Sequence, residues 1–333
     1  MTTRYEDFHR NENLGGPGDS RPTAQQIVDY NDLVGKWTDK VILVTGTSSG
    51  LGITTVAALK STGAKIYATA RNLDKGRNAL KRLLEPGRVE LLQLDTGDLS
   101  SVRACATEFL SRESKLNVLI NNAGVMAIED RRLTKDGFEE QFAVNYLGHF
   151  LLFLLLKPAL LAAASPEFGS RVINVSSSTH KVASVNLDNL NFDQDGSYDR
   201  FVGYGQAKTA QILMTNEIER RYAAQGLHSL ALNPGAIDTP LQVHIQTMVD
   251  ELKKNWEIRK TMKDVEQGSA TTLVAAVDKE VEGKGGLYLN DCAIQEPTDN
   301  HEMGGGGVAR HALDEVLGKK LWNKGIELVG FQE

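Results

Sequence analysis

The chain has 333 residues, of which 41% are hydrophobic and 24% are charged, and its formal net charge is −6 at pH 7. This length is enough for one large domain with a buried core. The acidic balance argues against a basic face for nucleic acid. The two cysteines, Cys105 and Cys292, lie far apart in sequence, which favours reduced thiols in the cytoplasm over a disulfide scaffold.

Residues 1–37 are predicted to form a polar N-terminal arm, and residues 38–333 the main domain. The arm carries no apolar core of the kind that a signal peptide needs. The most apolar run, 150–161, is interrupted by Lys157 and Pro158 and has 12 residues. A spanning helix needs about 20 apolar residues, so the run predicts a buried helix or a subunit contact and no membrane span.

Short apolar segments alternate with helical patterns along the rest of the chain. The predicted strands are 41–45, 65–69, 89–94, 118–121, 171–175, 228–232 and 286–289. The predicted helices lie near 51–62, 74–84, 99–112, 136–157, 203–225 and 265–278. This alternation indicates an α/β fold: a doubly wound, Rossmann-like parallel sheet of about seven strands in a single domain. Ligands of such folds bind at the carboxyl ends of the strands.

Two insertions interrupt this alternation. Residues 179–202 are predicted to form a polar loop. Residues 240–262 carry apolar side chains at helical spacing, namely Leu241, Ile245, Met248, Leu252 and Trp256. This spacing predicts either a lid helix over a substrate cleft or a helix that only packs on the domain. The glycine run 304–307 is predicted to be a flexible loop without chemistry.

A glycine-rich turn follows the first predicted strand and opens a helix. Glycine permits a tight turn and close approach of the backbone to phosphate, and a helix N-terminus offers unpaired N–H groups to an anion. The spacing, Gly-x-x-x-Gly-x-Gly, differs from the usual dinucleotide fingerprint, so a turn without a ligand is the alternative. The predicted phosphate-binding residues are Gly46, Ser48, Ser49, Gly50, Leu51 and Gly52.

Tyr204 and Lys208 lie four residues apart in the predicted helix 203–225, which places them on one face. A free phenol has a pKa of about 10, and a nearby ammonium lowers that value. A lowered phenol pKa suits acid/base catalysis at neutral pH. The alternative is a solvated face of an amphipathic helix.

Six segments, in this order, resemble the short-chain dehydrogenase/reductase family. They are Thr45-Gly46-x-x-x-Gly50-x-Gly52, Asn121-Asn122-Ala123-Gly124, Asn145, Ser176-Ser177, Tyr204-x-x-x-Lys208 and Asn233-Pro234-Gly235-x-x-x-Thr239. The resemblance covers nearly all of 38–330. Within the family, 94–103, 141–150 and 321–330 are similar to the retinol-dehydrogenase-like branch, including its soluble fungal and bacterial relatives. Membrane-anchored members carry an N-terminal anchor that this sequence lacks, so a soluble enzyme is expected.

The resemblance implies a catalytic set of Asn145, Ser177, Tyr204 and Lys208. In the family, the tyrosine is the proton donor, and the lysine lowers its pKa and binds the nicotinamide ribose. The asparagine holds a water that joins the lysine to a proton relay. Three consecutive serines, 176–178, leave the active hydroxyl open by position alone, and the family pattern places it on Ser177.

The second predicted strand ends without a carboxylate, and Arg71 stands at its end. A guanidinium can pair with a 2′-phosphate, so NADP(H) is predicted rather than NAD(H), with help from Lys75 and Arg77. An exposed surface arginine is the alternative. The resemblance also implies the remaining cofactor contacts. On the adenine side they are Asp95 and Thr96, and on the ribose side Asn122, Ala123 and Gly124. The carboxamide end of the nicotinamide is held by Pro234, Gly235, Ile237 and Thr239.

These expectations combine into an NADPH-dependent reductase or dehydrogenase that interconverts a carbonyl and an alcohol on a lipophilic small molecule, in secondary metabolism. The alternative is a non-catalytic NADP(H)-binding regulatory protein on the same fold. The 7 histidines show no metal-ligand spacing, so no metal is predicted. A homodimer through the helices 99–112 and 136–161 is expected, with no nucleic-acid partner.

Overall fold

An eight-stranded sheet organises the computed structural model, which describes residues 4–302 and 304–332. Its strands are β1 (Val41–Val44), β2 (Lys65–Ala70), β3 (Val89–Gln93), β4 (Val118–Asn121), β5 (Ser170–Val175), β6 (Leu227–Asn233), β7 (Leu287–Asn290) and β8 (Ala293–Ile294). The strand order is β3-β2-β1-β4-β5-β6-β7-β8. All neighbouring pairs are parallel except β7 and β8. The doubly wound sheet predicted from the sequence is therefore confirmed, with an antiparallel edge strand in addition.

The strands fall within about two residues of the predicted segments because their residues are apolar almost throughout. All residues of β4 and β5 are buried, as expected for a parallel sheet with helices on both faces. Alternate side chains enter opposite layers: Leu43 of β1 packs into one core, and Ile42 and Val44 pack into the other. A short second sheet pairs β9 (Pro297–Thr298) with β10 (Val308–Ala309).

Twelve α-helical segments lie between the strands in the part of the chain that the structure describes. They are α1 (Ala24–Tyr30), α2 (Leu51–Ser61), α3 (Leu73–Leu80), α4 (Leu99–Arg112), α5 (Glu140–Phe142), α6 (Gly148–Ala163), α7 (Arg200–Tyr222), α8 (Gln246–Leu252), α9 (Trp256–Arg259), α10 (Val265–Gly268), α11 (Ala270–Val277) and α12 (Glu315–Leu328). Helices α1, α2 and α11 cover one face of the sheet, and α4, α6, α7 and α12 cover the other.

The N-terminal arm contributes helix α1, which the sequence analysis did not predict. A capping box closes its first turn: Thr23 accepts from the Gln26 amide, and the Gln26 side chain bonds back to Thr23. The helix buries Ala24, Ile27 and Val28 against α2 and α11. Part of the arm is thus built into one helical layer, while the boundary at residue 38 stays a prediction.

Helices α5 and α6 form one continuous helix, 140–163, joined by a π-helical turn over Ala143–Leu147. The predicted helix 136–157 starts too early, because Gly137 turns the chain with φ +84°. Among the described residues, this helix alone is long and apolar enough to span a membrane, yet most of its apolar window is buried. It packs between α4 and α12, where Phe150 meets Trp322 edge-on, so its composition is that of a core helix.

The segment 240–262 does not form the single helix that its spacing predicts, because the chain breaks at 253–255 between α8 and α9. Of the five predicted apolar positions, only Ile245 is buried. Ile245 and Val249 pack against Met126, Ala127 and Phe201. We call residues 240–262 the lid, because its α8 covers the loop after β4 and the start of α7.

The glycine run 304–307 has a structural role that the sequence analysis did not predict. The ammonium of Lys181 is buried and donates to the carbonyl oxygens of Gly305 and Gly306, each at 2.8 Å. The backbone of the glycine run therefore binds the buried Lys181 ammonium, in the segment that follows β5.

Candidate active site

A groove of about 360 Å³ lies at the carboxyl ends of the strands. Each of the first six strands is followed within a few positions by a residue that lines it: Gly46, Arg71, Asp95, Asn122, Ser177 and Pro234. The groove crosses the point between β1 and β4 at which the strand order reverses. This is where doubly wound sheets bind ligands.

Two glycines of the predicted phosphate loop are required by close contacts. Gly46 has φ +72°, and a Cβ there would lie 2.6 Å from the Cα of Ala123. A Cβ on Gly52 would lie 2.3 Å from the carbonyl oxygen of Gly46. The loop therefore packs directly onto the turn after β4 and onto the start of α2, and any side chain at these positions would push the three segments apart.

The start of α2 offers free donors to the groove. Gly50 is its N-cap residue and supplies no side-chain hydrogen bond to the first turn. The first N–H groups of a helix have no partner within the helix, and together with the helix dipole they favour a bound anion. Ser48, Ser49 and Leu51 line the groove at the same place, so this end fits a pyrophosphate.

The charges along the groove also fit a dinucleotide phosphate. Arg71 and Lys75 line one end, and the Arg71 guanidinium makes no hydrogen bond or ion pair with any residue in 4–302 or 304–332. Asp95 is the one carboxylate among the described lining residues, and its Oδ1 accepts from the Gly97 amide at 2.9 Å. A dinucleotide phosphate bound at this end would therefore face the Arg71 and Lys75 side chains.

A buried hydrogen-bond network, which the sequence analysis did not predict, supports the residues at the bottom of the groove. The Thr45 hydroxyl accepts from the amides of Asn122 and Ala123, both at 2.9 Å, and lies 2.9 Å from Nε2 of His149. The other ring nitrogen of His149 lies 2.9 Å from the Asn145 carbonyl oxygen. Because that carbonyl can only accept, Nδ1 carries the proton and Thr45 donates to Nε2. Burial lowers the pKa of His149 to about 4 and keeps the ring neutral.

The Asn145 side chain is fully buried in the π-helical turn, a feature that is frequent at functional sites. Its amide bonds both backbone groups of Val125, each at 3.0 Å. It lies behind Gly124, where an added Cβ would be 2.7 Å from Asn145 Oδ1 and 3.9 Å from Lys208 Nζ. The predicted water between Asn145 and Lys208 stays a prediction.

Tyr204 and Lys208 lie on one face of α7, as their spacing predicts. Asp199 caps this helix, and the Lys208 ammonium lies 5.4 Å from the centre of the Tyr204 ring. Burial raises the pKa of Tyr204, and the Ser177 hydroxyl beside it opposes that rise. Tyr204 is therefore protonated at neutral pH, and the lowering of its pKa that the sequence analysis expected from Lys208 stays a prediction.

Lys208 itself is strongly affected by its surroundings. Its ammonium donates to the Val175 carbonyl oxygen at 2.8 Å and to Oε1 of Gln211 at 3.0 Å. Burial lowers the pKa of Lys208 to about 7, so its charge is only partial at neutral pH. Gln211 was missed by the sequence analysis, although it stands three residues after Lys208, on the same helix face.

The structure distinguishes the three consecutive serines. The Ser176 hydroxyl is buried and donates to the Lys208 carbonyl oxygen at 2.9 Å. Ser177 lines the groove beside Tyr204. Its Oγ accepts from the Thr179 amide and donates to the Thr179 hydroxyl, both at 3.1 Å. Ser178 does not line the groove. Ser177 is thus the serine whose hydroxyl stands beside the phenol.

His180 does not form a Ser–His nucleophile pair with Ser177. Its Nδ1 lies 2.7 Å from the Ser177 carbonyl oxygen, and its Nε2 accepts from the Ala309 amide at 3.0 Å. Both ring nitrogens are therefore occupied by backbone groups, and the ring joins the Ser177 loop to β10.

Comparisons with known proteins agree with this geometry. The short chain dehydrogenase family model matches residues 40–189. A short-chain dehydrogenase/reductase of Penicillium roqueforti, prx1, is 51% identical over 322 residues, which cover 96% of this chain and 93% of that protein. The chain belongs to the short-chain dehydrogenase/reductase family.

Other members of the family are similar over most of this chain. The human polyprenol dehydrogenase is 35% identical over 299 residues, covering 88% of this chain and 86% of that protein. The crystal structure of an uncharacterized protein from Mycobacterium paratuberculosis has a TM-score of 0.65 at 31% identity, and covers 88% of this chain and 94% of that chain. The family resemblance read from the sequence motifs is thereby confirmed.

Nearly all of the predicted catalytic and cofactor-binding residues lie together in the groove. The exceptions are Gly52 and Asn145, which stand behind its wall. The groove also has lining residues that the sequence analysis did not assign to the site: Ala70, Leu94, Val125, Met126, Val144, Val175, Ser176, Asn233, Pro240, Leu241 and Gln242. Most are apolar and stand where strands end or the lid begins, positions that only the folded chain brings together.

Proposed function

We propose that the protein is an NADP(H)-dependent reductase or dehydrogenase that interconverts a carbonyl and an alcohol on a lipophilic small molecule. The observation that carries this proposal is the buried phenol of Tyr204, which stands beside Ser177 and near Lys208 in a groove shaped for a dinucleotide. A protonated phenol and a serine hydroxyl side by side are suited to hold one carbonyl oxygen.

The chain's own residues supply the positioning and the proton. Ser177 and Tyr204 each donate a hydrogen bond to the substrate oxygen and stabilise the negative charge that develops on it. Tyr204 then transfers its proton, and the adjacent Lys208 ammonium stabilises the charge left on the phenol oxygen. The hydride that the carbonyl carbon needs is supplied by the bound nicotinamide cofactor.

A lipophilic substrate is supported by the substrate side of the groove. Met126 and Leu241 line the groove, and the lid has further exposed apolar side chains, including Val243 and Trp256. A relative named polyprenol dehydrogenase, by its name, acts on a lipid alcohol. We propose a substrate of this chemical class, an intermediate of secondary metabolism, handled in the cytoplasm.

Arg71 is expected to set the preference for NADP(H). We expect the change Arg71→Ser to raise the KM for NADPH about 10- to 100-fold, because a charge-assisted hydrogen bond is worth about 1.5–3 kcal/mol. The KM for NADH should change little. Steady-state kinetics with both cofactors measures this ratio.

Arg77→Ser is the matched control. The sequence analysis expected Arg77 to help Arg71, but in the structure Arg77 is exposed on α3, pairs with Asp74 and does not line the groove. It should leave both KM values unchanged. An Arg71→Ser variant with an unaltered NADPH to NADH ratio would contradict the assignment of Arg71.

The function itself is tested with the purified protein, NADPH and a panel of lipophilic aldehydes and ketones. We expect the absorbance of the reduced cofactor to fall with at least one compound, and an alcohol product to appear by mass spectrometry. Binding of NADPH without turnover of any compound would favour a non-catalytic regulatory protein instead. Turnover that survives Tyr204→Phe would contradict the role of Tyr204 as the proton donor.

A homodimer also stays a proposal. The helices expected to form its interface bury most of their apolar side chains within the chain, since α6 packs between α4 and α12. Light scattering of the purified protein measures its mass in solution and decides between monomer and dimer.

A further inference from the structure

The N-terminal arm holds a buried arginine against the end of the lid. Arg21 is 2% exposed, and its Nη1 donates to the carbonyl oxygen of Thr261 at 2.8 Å. Its Nη2 donates to the carbonyl oxygen of Met262 and, at 3.2 Å, to that of Gly16. The last carbonyls after a helix have no partner within it, so one guanidinium from the arm satisfies the end of the lid after α9.

A second set of bonds fixes the arginine in place. The Arg21 Nε donates to both carboxylate oxygens of Asp19, at 2.9 and 3.0 Å. The Gln267 side chain donates to Asp19 Oδ1 at 2.9 Å and accepts from the Gly18 amide at 2.9 Å. Residues 15–21 of the arm therefore bind the chain on both sides of Lys263. We call residues 260–268 the strap; its first three residues are also the last three residues of the lid.

The opposite side of the strap faces the groove wall. The Lys263 amide donates to the Ala236 carbonyl oxygen at 2.9 Å, and its ammonium donates to Asp291 at 2.7 Å. A Cβ on Gly268 would lie 2.6 Å from Cγ1 of Ile237. Ile237 lines the groove, so the strap lies between the arm on one side and the loop 234–239 on the other.

The lid has little else to hold it. Its first residues, 240–242, line the groove, and only Ile245, Val249 and Met262 are buried hydrophobics among the lid residues. A segment with few buried apolar contacts opens at low free-energy cost. The lid is also held by the packing of α8 on Met126, Ala127 and Phe201 and by the ion pair between Lys253 and Asp238. Its position therefore depends strongly on its two ends, the loop 234–239 and Arg21.

We infer that Arg21 is a positioning residue for the substrate side of the active site. The arm fixes the far end of the lid, and the lid sets the affinity for the lipophilic substrate. This inference rests on the proposed function and gives residues 15–21 a part in substrate binding that lies outside the catalytic groove.

The change Arg21→Met tests this inference, because it keeps an unbranched apolar stem in place of the arginine stem and removes the guanidinium donors. We expect the KM for the carbonyl substrate to rise about tenfold, since carbonyls left unpaired release the lid end. The kcat and the KM for NADPH should change less than about threefold, because Tyr204, Ser177 and Arg71 are untouched. Limited proteolysis within 241–259 should become about tenfold faster.

Two further variants serve as controls. Arg21→Lys keeps a charge but not the planar fork, so it should restore part of the KM and of the protease resistance. Arg10→Met removes another arginine of the arm, which is exposed and pairs with Asp7, and should behave as the wild type in every measurement.

An unchanged substrate KM and an unchanged cleavage rate in Arg21→Met would overturn the inference. A fall in kcat and in melting temperature with both KM values unaltered would also overturn it, because that pattern reports a smaller folded fraction. If the wild type turns over no carbonyl compound, the proposed function fails, while the cleavage rates still decide whether Arg21 holds the lid.

Discussion

The change Tyr204→Phe is expected to remove nearly all turnover while the protein still folds and binds NADPH. Phenylalanine keeps the buried ring and its contact with the Lys208 ammonium, 5.4 Å from the ring centre. Only the oxygen is lost, and with it the proton donor beside Ser177. Loss of a general acid costs about 10²- to 10⁴-fold, and loss of an oxyanion donor a similar factor, so kcat should fall at least about 10³-fold.

The measurement is kcat for the best carbonyl substrate, together with the melting temperature and an NADPH titration by fluorescence. Tyr198→Phe is the matched control, because the Tyr198 hydroxyl bonds the Ile128 carbonyl oxygen at 2.8 Å and lies outside the groove lining. The control should keep its turnover. A Tyr204→Phe variant that retains a tenth or more of the wild-type kcat would sink the proposed mechanism.

The change Lys208→Met is expected to abolish turnover and at the same time to stabilise the fold near neutral pH. Burial lowers the pKa of Lys208 from 10.5 to about 7, which corresponds to about 5 kcal/mol of destabilisation when the group is charged. Removal of the ammonium leaves the Val175 carbonyl and Gln211 Oε1 without a donor, which offsets about 1–2 kcal/mol for each of these neutral groups. A net gain of about 1–3 kcal/mol remains.

The sign of the pH dependence follows from proton binding. Between pH 7 and 10.5 the unfolded chain carries the Lys208 proton and the folded chain does not, so wild-type stability rises with pH in this range. The gain in Lys208→Met is therefore largest at and below pH 7 and disappears towards pH 10.5. Urea unfolding of both proteins at pH 6 and pH 10 measures the difference.

Lys157→Met is a suitable control for this experiment. Lys157 is only partly buried on α6 and bonds the Tyr222 hydroxyl at 3.3 Å, so its removal should neither stabilise the fold at pH 6 nor reduce turnover. The prediction is contradicted if Lys208→Met has a lower free energy of unfolding than the wild type at pH 6, or if its gain in stability is larger at pH 10 than at pH 6. Either result would show that burial of the Lys208 ammonium does not destabilise the fold.

The features that the sequence predicted are those with local physical causes. The glycines after β1 predict a tight turn, and the structure has one there. Only glycine fits at Gly46 and Gly52, since a Cβ at either position would collide with the backbone. The spacing of Tyr204 and Lys208 fixes their common helix face. The apolar runs predicted every strand of the main sheet except the two-residue β8.

The features that the sequence analysis missed depend on contacts between distant segments. The lid spacing predicts one amphipathic helix, but the arm captures the end of the lid, and most of the lid's apolar side chains face outwards. The raised pKa of Tyr204 comes from burial under the whole fold. Likewise, the bond of His149 to Thr45 joins α6 to the end of β1, and no local pattern indicates it.

Helix α12 completes the packing around α6 only late in the synthesis of the chain. The apolar face of α6 is complete once residue 163 has been made, but Trp322, which covers Phe150 and Phe153, follows much later in the chain. Until then, these two phenylalanines of the central helix lack the cover of Trp322. A nascent chain that is paused before residue 315 would therefore expose an apolar surface on α6. In the cell, such a chain would be a client for chaperones that bind apolar surfaces.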